Sequence, residues 1–351
     1  MRVFINLFNS LIQPEHLFYS WEEFKHDKGL KEDILFFEKN LESEIFKLHR
    51  ELKGGVYKHS GYESFFISDP KLRHIHKATV RDRVVHHAIM HTLYPLYDKT
   101  FIDNSFSCRV GKGTHKGVLA LRSMIAKASK NNTQTVYILK CDVEKFFDSV
   151  HHIILIDILR KRIKDKKLID LLIEVIESFI SDRSTLFDRV GLPIGNLTSQ
   201  LFANIYMDKF DQYMKHELKV KYYARYTDDF VIVSEDIEYL VNLKLDISKF
   251  LSESLRLTIH PKKITIRKYT HGIDFLGHVS FPHHVLIRKR TLKRATRRIN
   301  EKIVLYKAGF LPKEKLEATL YSYLGVLSHA NAYRFSEKLK NDYFLSVNNT
   351  N

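Results

Sequence analysis

Residues 222–233 read Tyr-Tyr-Ala-Arg-Tyr-Thr-Asp-Asp-Phe-Val-Ile-Val. Two strand-like runs, Tyr222 to Tyr226 and Phe230 to Val233, flank Thr227-Asp228-Asp229, a linker of hairpin-turn length. Asp favours tight turns, so the pair taken alone is ordinary turn chemistry. A third acidic residue changes its weight. Val136-Tyr-Ile-Leu139 is short, apolar and partly β-branched, as a buried strand would be, and Asp142 stands at its end. Charge beside a strand core is costly unless it is paired or bound to metal.

Around this centre the chain reads as alternating helices and short strands. Steps of three and four from Ile34 through Phe37, Leu41, Ile45 and Leu48 to Leu52 predict a helix over 33–52, stopped by Gly54-Gly55. A second helix is expected from Arg81 to Leu96, broken near Pro95. Near-helical spacing from Leu155 to Phe179 predicts one long helical stretch. The run Gly191 to Gly195 is a turn-rich break before a helix over Thr198 to Glu217. Another helix is expected at Ile237 to Leu255, then strand-like pieces around Gly272 and Gly277. From Arg288 onward two helices are expected, the first with Arg290, Lys293, Arg294, Arg297 and Arg298 on one side and Leu292, Ala295, Ile299 and Ile303 on the other.

Composition narrows the function. The 351 residues carry 57 Lys plus Arg against 41 Asp plus Glu, a net charge of +16. That excess fits a phosphate-rich partner better than a small metabolite. An apolar share of 44% supports real cores. No apolar run is long enough to span a bilayer, the first 18 residues do not form a convincing signal peptide, and Cys108 and Cys141 form no CxxC pair. A cytoplasmic protein with reduced thiols and no membrane partner is the expectation. In so basic a chain, three clustered carboxylates suit Mg²⁺, which takes oxygen ligands and serves in-line phosphoryl transfer in pairs. The histidine pairs His86-His87, His151-His152 and His283-His284 lack a completing Cys or Glu and are expected at the surface or in the core.

Three segments, in order, resemble motifs A, B and C of the reverse transcriptase palm. They are Cys141-Asp-Val-Glu-Lys-Phe-Phe-Asp-Ser-Val150, Gly191-Leu-Pro-Ile-Gly-Asn-Leu-Thr-Ser-Gln200 and Arg225-Tyr-Thr-Asp-Asp-Phe-Val-Ile-Val-Ser234. Upstream, Ala78 to Ala88 and Asn104 to His115 resemble finger motifs of the bacterial, group II intron-like branch. Downstream, His260-Pro-Lys-Lys263 and Gly272-Ile-Asp-Phe-Leu-Gly277 resemble the motifs that close the palm and grip the primer. The string Ile194-Gly-Asn-Leu-Thr-Ser-Gln200, where most group II-like enzymes carry Gln-Gly and then Ser-Pro, is similar to that of reverse transcriptases from diversity-generating retroelements.

The resemblance implies an α+β right-hand polymerase: N-terminal extension and fingers over 1–135, palm with an antiparallel sheet over 136–287, and a small basic helical thumb over 288–351. It implies an RNA-directed DNA polymerase that makes adenine-mutagenised cDNA for mutagenic retrohoming, encoded by a bacterium or phage. Asp142, Asp228 and Asp229 would be catalytic and ligate two Mg²⁺ ions, with Mn²⁺ as a substitute. Arg83 and Arg109 would meet the incoming dNTP triphosphate, with Lys77 and Arg81 as weaker candidates. Phe147 would exclude a ribose hydroxyl; the alternative is that Phe146 and Phe147 are both core. Ile194 and Gly195 would lie near the nascent base pair, where Ile offers shape without a hydrogen bond and Gly lets backbone approach the template. Lys262 or Lys263, the latter the candidate for the dNTP site, would serve the leaving pyrophosphate. Gly272, Gly277, Arg290, Arg294, Arg297 and Arg298 would contact the template RNA and RNA/DNA hybrid. Thr227 replaces a common Ala, Met or Val. Nothing is expected after the basic helices for a DNA-binding or endonuclease domain, so dependence on partners or a self-provided primer is expected; the resemblance implies a small basic helical oligomeric accessory protein among the partners. Other readings are a phage-defence or retron-like reverse transcriptase and a catalytically idle RNA-binding protein of the same fold.

Overall fold

The computed structural model describes residues 3–28, 31–68, 71–185 and 187–348. The outer ends of the first and last expected regions, 1–2 and 349–351, lie outside the described residues. The chain opens with α1 (Phe8–Leu11), α2 (Pro14–Lys25), α3 (Glu32–Lys39) and α4 (Leu41–Gly54). The helix expected over 33–52 is therefore two helices, parted at Asn40, whose backbone (φ −118°, ψ 25°) leaves the helical region. Buried Ile34, Phe37, Ile45, Leu48 and Leu52 keep their spacing across the break, so the apolar stripe did not register it.

An antiparallel hairpin follows, β1 (Tyr62–Ile67) and β2 (Arg73–Ala78). Then come α5 (Val80–Tyr97), N-capped by the Thr79 hydroxyl, and α6 (Thr114–Ala128). Pro95 lies in the last turn of α5 and does not break it there, contrary to expectation; it forfeits the bond that its N–H would make to the His91 carbonyl, and the helix ends two residues later. Next are β3 (Tyr137–Asp142), α7 (Phe146–Ser149), α8 (His152–Arg162) and α9 (Lys166–Glu177). The long helix expected over 155–179 is interrupted at 163–165, where Phe4 bridges Ile163 and Asp165 caps α9. That bridge comes from the far N-terminus, so local spacing could not announce it.

The remainder is α10 (Leu197–Gln212), β4 (Tyr223–Tyr226), β5 (Asp229–Ser234), α11 (Ile237–Leu255), β6 (Thr265–Lys268), β7 (Ile273–Phe275), β8 (His278–Ser280), β9 (Val285–Ile287), α12 (Lys289–Lys307), α13 (Lys313–Leu327) and α14 (Tyr333–Asn348). Among the described residues the central sheet is antiparallel in the order β4-β5-β3-β6, and β7-β8-β9 form a separate small sheet.

Period-two alternation sorts the central sheet into two faces. Leu139, Cys141, Phe230 and Ile232 join a large core with α8, α10, α11 and the N-terminal helices. Ile138, Ala224, Val231 and Val233 join a second core with Leu121, Met124 and Ile125 of α6 and Phe275 of β7. The last three helices have a third core around Ala295, Ile299, Leu316, Leu320 and Leu339. The fold is mixed helix and antiparallel sheet.

Candidate active site

On the second face the apolar alternation runs out into charge. Ile138 is followed two residues on by Lys140 and four on by Asp142, while Val233 and Val231 lead to Asp229. In the β3–β5 register Asp142 stands directly opposite Asp229. Tyr226 pairs with Asp229, so the turn is Thr227-Asp228 and Asp229 already belongs to β5. The Val143 N–H donates to the Asp228 carbonyl at 3.2 Å, which ties the turn to the end of β3. One strand end and one β-turn thus place three carboxylates together.

Their electrostatics follow from that closeness. Burial, with Asp142 beside it, pushes the Asp228 carboxyl up to about 6. Burial also raises Asp229 to about 6, against the pull of Lys140 and with the push of Asp142 and Asp274. Two ammonium groups offset the excess: Lys263 Nζ donates to Asp142 Oδ1 at 2.6 Å, and Lys140 Nζ lies 3.3 Å from Asp229 Oδ2. Asp229 Oδ1 is buried with no hydrogen-bond partner. Such an oxygen is costly to leave unpaired and suits a hard cation. Among the described residues no three His, Cys, Asp or Glu side chains form a preassembled metal cage. The donor set fits a cation site that is held, without one, by Lys263 and Lys140. A cavity of about 330 Å³ opens over Asp142, Asp229, Lys140 and Lys263, bordered also by Lys71, Asp274 and Arg288.

Residues 58–280, more than half of the chain, match the family described as reverse transcriptase (RNA-dependent DNA polymerase). This chain belongs to the reverse transcriptase family. Its enzyme class is RNA-directed DNA polymerase, a class that uses divalent metal ions, template RNA and dNTPs. It is similar to Protein YkfC of Escherichia coli K12, at 27% identity over 72% of this chain and 73% of that protein. The putative COX1/OXI3 intron 2 protein of Saccharomyces cerevisiae is 22% identical over 67% of the chain. The group II intron-encoded protein LtrA of Lactococcus lactis subsp. cremoris is 23% identical over 63%. The match spans only 34% and 37% of the length of these two intron proteins.

Within this reverse transcriptase the other candidate residues fall into distinct places. Lys263, not Lys262, reaches the Asp142 carboxylate. Phe146 is buried, whereas Phe147 is only partly buried at the core's edge, and its carbonyl accepts from the Leu192 N–H at 2.7 Å. Ile194 accepts from the His76 N–H at 2.9 Å, and a Cβ on Gly195 (φ +115°) would lie 2.8 Å from Ile75 Cγ2. The close approach that Gly195 permits here is to strand β2. Buried Asn196 completes that staple through the His76 carbonyl and the Ala78 N–H.

The finger arginines are engaged away from the carboxylates. Arg83 pairs with Asp33 at 2.7 Å and lies over the Phe24 ring; Lys77 shares Asp33 at 2.9 Å. Arg81 pairs with Glu51. Arg109 is nearly buried, donating to Asp98 and to the Ile102 and Ser105 carbonyls. Gly272 (φ +78°) faces Phe281 so closely that a Cβ would lie 2.5 Å from its ring, and Gly277 (φ +87°) turns in open space. Arg290 and Arg297 are exposed and Arg294 and Arg298 half-exposed on α12; Glu301 faces both Arg297 and Arg298. His86, His151 and His152 are buried, and His283 and His284 are exposed. Cys108 and Cys141 are free thiols.

Sequence reading missed Lys140, Lys71 and the pair Arg225–Asp211. Lys140 was legible in principle, since a residue two before Asp142 on a strand shares its face. Arg225 offered a fainter signal: an arginine inside an apolar strand run needs a buried partner.

Proposed function

We propose that this enzyme copies a template RNA into adenine-mutagenised cDNA for a diversity-generating retroelement, using a right-hand arrangement. In this reading 1–135 form the N-terminal extension and fingers, 136–287 the palm and 288–351 the thumb. The observation that carries the catalytic part is Asp142 opposite Asp229, with Asp228 in the adjoining turn and one oxygen left unsatisfied. Asp142, Asp228 and Asp229 would hold two Mg²⁺ ions, or Mn²⁺ in their place. Bound there, the cations would supply charge to the attacking and leaving oxygens of an in-line displacement. The chain's own residues do the rest. Lys263, hydrogen-bonded to Asp142, would orient that carboxylate and give a proton to the departing pyrophosphate. Phe147, only partly buried, would exclude a ribose 2′-hydroxyl by its bulk. Lys71 and Arg288 border the cavity as phosphate partners.

The retroelement subtype rests on Ile194 to Gln200. Ile194 sits in a loop stapled to the β1–β2 hairpin, so an apolar side chain is held firmly where other group II-like enzymes offer a Gln amide. Shape without a hydrogen bond gives weak discrimination. A small basic helical oligomer is the proposed accessory partner. Similarity to intron-encoded proteins favours a second reading, a group II-like copier of ordinary fidelity. Primer extension on poly(rA) and on a mixed-sequence RNA, with Mg²⁺ and dNTPs, tests both. Extension with errors concentrated opposite template adenine supports the first reading. Even fidelity at all four bases removes it, and no extension removes both.

A further inference from the structure

Beneath the Thr227-Asp228 turn lies a fully buried ion pair. Arg225 and Asp211 are both 0% exposed. Arg225 donates from Nε to Asp211 Oδ1 at 2.7 Å and from Nη2 to Oδ2 at 2.5 Å, a two-pronged contact. Nη2 also reaches Ser105 Oγ at 3.2 Å, and the Tyr223 hydroxyl donates to Asp211 at 2.7 Å. The remaining prong, Nη1, donates to the Thr227 carbonyl at 2.9 Å. That carbonyl belongs to the residue immediately before Asp228.

A buried pair of this kind is a poor source of stability, because desolvation cancels most of its attraction. It is a good source of fixed geometry. Thr227 needs such fixing: its φ of 55° lies in the left-handed region, which a β-branched residue adopts only at a cost. A backbone of that kind persists when its surroundings over-determine it. Two contacts do so. Arg225 holds the Thr227 carbonyl, and the Thr227 hydroxyl donates to Ser107 Oγ at 2.5 Å. The loop that carries Ser105 and Ser107 is bound to Arg225 in turn: the Arg225 N–H donates to the Asn104 carbonyl and its carbonyl accepts from the Phe106 N–H, both at 2.9 Å.

We propose that Arg225 and Asp211 are positioning residues that clamp Thr227 in its left-handed conformation and so aim the Asp228 carboxylate. The inference rests on the catalytic reading of Asp228 given above. It links the motif B helix, through Asp211, and the 104–107 loop to the turn of motif C.

The test uses full-length R225K, the charge-free double variant D211N/R225M, S105A, and T227G in each background. R225K is expected to lower kcat on poly(rA) by about 100-fold, since an ångström of misplacement costs about that much. Primer–template Kd should stay within about twofold, because the phosphate contacts that set affinity are untouched. The Mn²⁺ affinity of the free enzyme, read by electron paramagnetic resonance, should weaken by about threefold or more as the carboxylates lose their common aim. T227G should restore about tenfold of kcat in R225K, because Gly holds a positive φ without help. D211N/R225M should melt near the wild type yet remain slow. Should R225K and the double variant both fail to fold, S105A carries the test, with a smaller loss of kcat that T227G repairs. Folded variants with wild-type kcat and Mn²⁺ affinity overturn the proposal, as does a kcat loss that T227G leaves unrepaired. If the wild type itself does not extend a primer, the catalytic reading has failed. The clamp is then judged by Mn²⁺ affinity alone, where equal values for wild type and R225K refute it.

Discussion

The central sheet and the C-terminal helical unit handle charge in opposite ways. At the sheet, Arg225 of β4 and its partner Asp211 of α10 are taken out of water and joined at hydrogen-bond distance, and the half-buried Asp229 is paired with Lys140. In the helical unit, α12 buries Ala295, Ile299 and Ile303 and turns its arginines outward. A buried charge has one workable position, because the low-dielectric surroundings make every displacement expensive. An outward charge contributes through density and is screened by salt. The sheet is therefore suited to fixing charged groups in place, and the helical unit to presenting charge by density.

If that contrast is right, single substitutions in the sheet should be drastic and those on α12 incremental. The largest effect is expected for Asp228→Asn. Primer extension should fall by about 10³-fold or more, as loss of several kcal/mol of transition-state stabilisation implies. Its melting temperature should hold or rise, because a buried like-charge contact is relieved. Activity within tenfold of wild type would break the comparison at its centre. Lys263→Met comes next, with a loss of about 10²-fold in kcat, the usual worth of a positioned proton donor. Rates measured against dNTP concentration should show kcat moving more than KM.

Phe147→Ala should leave dNTP turnover nearly intact while raising ribonucleotide incorporation by about 10–100-fold, since it removes a steric barrier rather than a bond. Competition between dTTP and UTP on poly(rA) reads this directly. For α12, Arg290→Gln with Arg294→Gln should weaken primer–template binding several-fold and flatten the salt dependence by about one to two ion equivalents. Loss of binding at all salt concentrations would mean that these arginines are fixed as tightly as the sheet's.

The smallest effect concerns Asp208 on α10, whose carboxyl burial pushes up to about 6 although Gln212 donates to it. The folded state holds this proton more tightly than the unfolded chain. Its contribution to stability is thus complete below about pH 4 and is lost as pH rises through about 6. Asp208→Asn should add roughly 1–3 kcal/mol at pH 7 and nothing at pH 4, by the shift-to-energy conversion. Urea titrations at the two pH values would show it, and equal stabilities at pH 7 would refute it.

Much of the sheet was legible because its determinants are local. The runs around Ile138 and Val231, and the acidic turn between Tyr226 and Phe230, announce a strand end and a hairpin wherever they occur. The candidate Asp142, Asp228 and Asp229 follow from that reading, and the sheet register brings them together. What escaped depends on which groups the folded chain brings together. The break between α8 and α9 depends on Phe4, and the surroundings of Arg109 on Asp98 and two carbonyls of its own loop. Arg225 meets Asp211 across two elements. Nothing in a one-dimensional pattern says which buried charge will find which partner. Lys262 and Lys263, adjacent in the chain, are told apart in the same way: Lys263 is the one that reaches Asp142.

One attachment has a wider meaning. Arg288 pairs with Asp274, its N–H donates to the Gly277 carbonyl at 3.0 Å, and the next residue begins α12. Arg288 and Asp274 also border the cavity above Asp142 and Asp229. The attachment of the helical unit is thus part of the chamber wall. A tilt of α12 that follows an advancing duplex would change the volume and polarity of that chamber. Stepping along the product and emptying the chamber for the next building block would then be two readings of one movement.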